Sequence, residues 1–213
     1  PFGLLWAYDK MKAGEYQRVL ADTSKTVRDA LAKDTHPEAK RAYQAADAAR
    51  STNKRQKALA AYAVYVAYGQ ELRFGADPEV SARASVLLEE LASENVKEVR
   101  NLDLARAAHA AATRSPAARG MLEAMVSTRP NDIDVLSLLG ETELRAREPQ
   151  AASAAWEKAE VVEKSARTAY GLARAKFLAG DRKQAEELAT LTLTRNPSHV
   201  GARILMARAT WNH

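Results

Sequence analysis

The 213 residues include no cysteine, which excludes disulfides, a thiol nucleophile and cysteine-ligated zinc. That composition suits cytoplasm or periplasm, and cytoplasm is the expected compartment. Long apolar runs are missing as well. No stretch approaches the ~18 apolar residues that a membrane span requires. The nine glycines and seven prolines sit mostly at segment ends, and no run reads as a buried β-strand. Alanine dominates the apolar residues, so the composition points to an all-α chain. Catalytic patterns are absent too: there is no H-E-x-x-H, no glycine-rich phosphate loop and no G-x-S-x-G. His36, His109, His199 and His213 have no carboxylate or second histidine at metal-ligand spacing on one helix face. Glu89-Glu90 and Glu186-Glu187 are adjacent pairs that point to different faces. No enzyme, metal or cofactor is therefore expected. The chain opens on Pro1 and reads as an excised fragment.

What is present is a repeat. Gly140, Ala152, Trp156 and Ala159 stand 33 residues before Ala173, Ala185, Ala189 and Thr192, and Leu139 stands 33 before Leu172. Each half closes near a turn, Lys164-Ser165 in one and Asn196-Pro197 in the other. A fixed period of this size means stacked supersecondary units. Glycine inside a helix costs about 1 kcal/mol against alanine, so Gly140 implies a packing reason, here close approach to the helix carrying Ala152 and Ala159. Pro130 and Pro197 each follow a helix end, where a missing N–H and fixed φ stop propagation.

The turn Leu178-Ala179-Gly180-Asp181, then Gln184-Ala185, then Asn196-Pro197, resembles the second-helix pattern of the tetratricopeptide repeat (TPR) family. The resemblance implies a right-handed superhelical array of antiparallel helix pairs, an α-solenoid, built as one domain over residues 1–213. Its units run over about 1–36, 37–74, 99–131, 132–165 and 166–199, with an extra helix in 75–98 and a terminal helix in 200–213. In the first unit Leu4, Leu5, Trp6 and Tyr8 lead into Lys12-Ala13-Gly14-Glu15-Tyr16, which looks like the inter-helix turn. Pro37 opens the second unit. Ala76-Asp77-Pro78 starts the extra helix, which ends at Ser93–Asn95, and the next unit begins near Val99, with Ser115-Pro116 starting its second helix.

The family holds partners in a groove lined by first-helix residues one turn apart. The resemblance carries that role to Leu4, Tyr8, Met11 and Lys12, to Tyr43, Asp47 and Arg50, and to Ser137, Glu141 and Arg145. It then reaches Tyr170, Arg174 and Phe177, and finally Ile204, Arg208 and Trp211. The chosen partner-binding set is Tyr8, Met11, Lys12, Tyr43, Arg50, Tyr170, Arg174, Phe177, Arg208 and Trp211, since aromatics flanked by arginine make hot spots. The family's carboxylate clamp is not matched: its asparagine positions hold Tyr8, Asp47, Ala107, Glu141 and Arg174.

Residues 166–213 carry eight basic side chains against three acidic ones, the whole net charge of +5. A basic end steers acidic partners. The expected function is a non-enzymatic scaffold in a bacterial multi-protein assembly, holding a protein or peptide that is acidic with apolar anchors. The alanine- and arginine-rich composition is the bacterial hint. An alternative is an accessory domain of a larger regulatory enzyme. Nucleic-acid binding through the basic end is a weaker alternative and is not expected, because no aromatics interleave a basic stripe. Arg174→Glu with Arg208→Glu is expected to weaken binding and spare stability, whereas Arg182 and Lys183 are expected to face outward.

Overall fold

The computed structural model describes residues 2–53, 56–93 and 101–211, with residues 2–10 described as backbone alone. Among these residues the chain is all-α, with eleven helices and no strand. The helices are α1 (Phe2–Leu31), α2 (His36–Thr52), α3 (Lys57–Phe74), α4 (Pro78–Ser93), α5 (Leu102–Ala112) and α6 (Ala117–Thr128). They continue as α7 (Ile133–Ala146), α8 (Pro149–Val162), α9 (Ala166–Leu178), α10 (Arg182–Arg195) and α11 (Val200–Thr210).

Local chemistry sets most of these boundaries. Proline occupies the first turn of α2 and α8, where the missing N–H is not needed. Side-chain caps start four other helices: Asp132 accepts from the Asp134 and Val135 N–H groups, Ser165 forms a capping box with Thr168, Asp181 accepts from Gln184, and His199 accepts from Ala202. Each such cap satisfies donors that the helix leaves orphaned. A repeat is visible in the backbone as well. Arg114, Arg147 and Gly180 all have positive φ (58°, 61° and 87°) and follow one another at 33-residue intervals.

The first expected unit is different. Lys12-Tyr16 makes no turn; α1 is one continuous helix of 30 residues. Gly14 lies inside it, so it serves no turn, and among the described residues nothing stands within 4 Å of where its Cβ would be. The expected first unit thus contributes a single helix, packed on α2. Residues 94–100, where the extra helix was expected to end and the next unit to begin, lie outside the described residues.

The core centres on α3. Leu59, Ala61 through Tyr68 and Gln70 are all buried, the pattern of a helix covered on every side. It packs against α2, α4, α5 and α7. Beyond it, α7 adjoins α5 and α9, and α9 adjoins α11, while α6, α8 and α10 pack between successive members of this row.

Trp156 of α8 anchors the second core cluster with Leu136, Ala152, Ala159 and Leu172. It is completely buried, and its ring is held between two glycines. A Cβ on Gly140 of α7 would stand 2.5 Å from the indole, and a Cβ on Gly171 of α9 would clash with the same ring. The close approach expected at Gly140 is to the helix carrying Ala152 and Ala159, as read, and the side chain it meets there is Trp156. Three consecutive helices meet through one side chain.

Candidate binding site

The site is built where the two halves of the chain meet. Asp34, in the short connection between α1 and α2, is 5% exposed and receives a two-point contact from Arg73 of α3. Nε donates to Oδ1 at 3.0 Å and Nη2 to Oδ2 at 2.8 Å. His199, ahead of α11, supplies the third contact, with Nε2 3.0 Å from Oδ2. Because Nδ1 of His199 accepts the Ala202 N–H, the proton of the neutral ring lies on Nε2 and points at Asp34. Both ring nitrogens are committed, so this Asp–His pair has no nitrogen left for proton transfer to a substrate.

The same connection is held by its backbone. Asn196 donates through Nδ2 to the Lys33 carbonyl at 2.7 Å, and the Arg167 N–H donates to the Ala32 carbonyl at 3.1 Å. Burial alone would raise the Asp34 carboxyl. The Arg73 charge and the hydrogen bonds from His199 and Arg73 outweigh it and hold the group below its ordinary value of 3.8. A parallel contact joins α1 to α7: Arg28 donates twice to Oδ2 of buried Asp134, while the Tyr65 hydroxyl donates to Oδ1.

These contacts decide the fate of the expected groove residues. Tyr170 is 8% exposed. Its ring packs at a tilt of 49° against His199 with centroids 4.5 Å apart, and the Arg73 guanidinium lies 4.8 Å from the ring centroid. Gly201 makes room for it, since a Cβ there would lie 2.7 Å from the Tyr170 hydroxyl. Arg174 donates to both oxygens of buried Glu141 at 2.7 and 2.9 Å, and Arg73 stands 3.6 Å from the same carboxylate. Tyr43 is buried with its hydroxyl unpartnered among the described residues, and Arg50 is held by Asp47. Ser137 is fully buried. Met11 is exposed, and Lys12 pairs with Glu15 on the same helix. The side chains of Leu4 and Tyr8 lie outside the described residues.

What stays open is a cavity of about 260 Å³ lined by Leu144, Tyr170, Arg174, Phe177, Leu178, Ile204, Leu205 and Arg208. Four residues of the expected set, Tyr170, Arg174, Phe177 and Arg208, meet there, carried by α9 and α11. Trp211, 85% exposed, does not line it. The apolar rim consists of Leu178 and Ile204, both substantially exposed. Arg208 is exposed, and its side chain has no partner among the described residues. Arg182 does not simply face outward: it donates to the Arg208 carbonyl at 3.0 Å, and its guanidinium lies 5.5 Å from the Phe177 ring centroid.

The C-terminal charge excess is smaller in the fold than in the sequence. Arg174, Lys176 and Arg195 are neutralised by Glu141, Glu157 and Glu160 of the preceding helices. No helix among the described residues is long and apolar enough to cross a membrane. Comparison with models of known protein families returns no match, and comparison with curated proteins returns none either.

Proposed function

We propose that this chain is a non-enzymatic scaffold of TPR-like superhelical architecture that holds an acidic peptide segment of a partner protein in a bacterial assembly. The segment docks at the cavity between α7, α9 and α11. The observation that carries this reading is the lining itself: a mouth-sized apolar cavity, two arginines at its wall and apolar side chains at its rim. An arginine next to aromatic and aliphatic anchors is the composition of a binding hot spot. Arg174 is already satisfied by Glu141, so the carboxylate contact falls to Arg208, whose planar fork grips a carboxylate in two places. The three 33-residue-spaced left-handed turns support the repeat architecture.

Selection from a random peptide library tests this reading. It calls for enrichment of sequences with Asp or Glu beside a large apolar residue, displaced by one another at a single site. Enrichment of basic or purely polar peptides would overturn it.

A further inference from the structure

We propose that a second cleft, on the edge of the stack where the α5–α6 turn meets the C-terminus of α7, binds a compact soluble anion bearing several phosphate groups. The cleft measures about 570 Å³ and is lined by Arg114, Arg119, Arg145 and Arg147. A single carboxylate, Glu143, lines it with them. That group is buried and spent on Arg119, with which it forms a two-point ion pair. The other three guanidiniums have no partner among the described residues. Like charges gathered in one crease repel unless an anion joins them.

The positions of these arginines are not dictated by the turns. Arg114 and Arg147 sit at equivalent left-handed positions, and Gly180 fills the third of the series. Left-handed backbone is costly for a side chain and free for glycine, so arginine at both positions needs another reason. Complementing a helix C-terminus suits each of the three singly, Arg145 and Arg147 at the end of α7 and Arg114 just past α5, but it does not require that they share one cleft. Arg119, in the first turn of α6 where the helix dipole disfavours a cation, is held there by Glu143.

The chemistry of the lining selects the ligand. Arginine forks match phosphate oxygens in pairs. Among the described residues no aromatic ring lines the cleft, so they supply no stacking platform of the kind a single-stranded nucleic-acid site uses. None of the large exposed apolar side chains borders it either, which argues against a bilayer surface. The cleft shares no residue with the α9–α11 cavity, so this proposal stands or falls apart from the peptide reading.

Titration calorimetry of the whole chain with sodium tripolyphosphate, and with citrate at matched ionic strength, tests it. Arg114→Gly with Arg147→Gly removes two of the charges while suiting the positive φ, so the variant keeps its fold. Arg18→Gln with Lys40→Gln removes the same charge from exposed sites elsewhere. The expected result is saturable binding of tripolyphosphate, at least about tenfold tighter than citrate and at least about tenfold weakened by the glycine pair. The remote pair should leave it within about twofold, because charge far from a site acts only through screened fields. Absence of saturation, citrate binding as tight as tripolyphosphate, or equal loss in the two variants overturns the proposal.

Discussion

His199 donates through Nε2 to Asp34, a residue 165 positions earlier in the chain, across 3.0 Å. This contact fastens the α1–α2 connection to the head of α11. Arg73 arrives at the same carboxylate from α3. Breaking a buried ion pair by removing one partner costs about 3–5 kcal/mol. Glu141, 3.6 Å from Arg73, remains as a second partner, so Asp34→Ala should cost about 3 kcal/mol, near the low end of that range. Urea denaturation measures it; a loss below about 1 kcal/mol, the scale of an exposed pair, would show that the contact is incidental.

The same carboxylate makes stability depend on acid. Its folded pKa lies below the ordinary 3.8, so the unfolded chain binds the proton more readily. The Asp34 contribution is fully present above the unfolded value and is lost as pH falls from there through the folded pKa. Unfolding free energy should therefore drop more steeply below about pH 4 in the wild type than in Asp34→Asn. Parallel curves for the two proteins would remove Asp34 from the account.

Gly140 and Gly171 enclose the Trp156 ring from α7 and α9. A methyl at either position meets a rigid, fully buried indole rather than the end of a flexible chain, so the gain in helix propensity does not rescue it. Gly140→Ala and Gly171→Ala should each destabilise by about 1–3 kcal/mol. For a chain of this length that lowers Tm by roughly 2–4 °C per kcal/mol. An unchanged Tm for Gly140→Ala contradicts the assignment.

Arg174 and Arg208 line one cavity, yet they should respond differently to charge reversal. Arg174→Glu sets a second carboxylate against buried Glu141, so it should lower Tm along with binding. The expectation that it spares stability is thus revised by its partner. Arg208→Glu, at an exposed position, should leave Tm in place. Thermal melts of the two single variants separate these outcomes.

Much of the fold was legible because its signals are local. Pro37 and Pro78 start helices, the turn residues Ser165 and Asp181 cap the helices that follow them, and the 33-residue spacing recurs as Arg114, Arg147 and Gly180 in the backbone. Gly14 misled because glycine flanked by strong helix formers is tolerated within a helix at about 1 kcal/mol, and sequence alone cannot tell that from a turn. The positions implied by the repeat resemblance also included Tyr170, Arg174, Phe177 and Arg208, which meet at one cavity. The resemblance could not show that Arg73 and His199 would cover Tyr170, since the Asp34 contacts that hold them, 39 and 165 positions apart, leave no local pattern. Arg114 and Arg147 went unnoticed for a different reason: arginine gives no sequence sign of left-handed backbone.

The central claim is that partners dock at the α9–α11 cavity. Its most direct measurement is a fluorescence-anisotropy titration of a library-selected acidic peptide against Ile204→Glu with Arg208→Glu, both at exposed positions. Losing the apolar rim and the unpaired cation together should weaken binding at least about tenfold, with Tm shifted by no more than about 2 °C. Undiminished affinity in that folded variant would place the binding surface elsewhere.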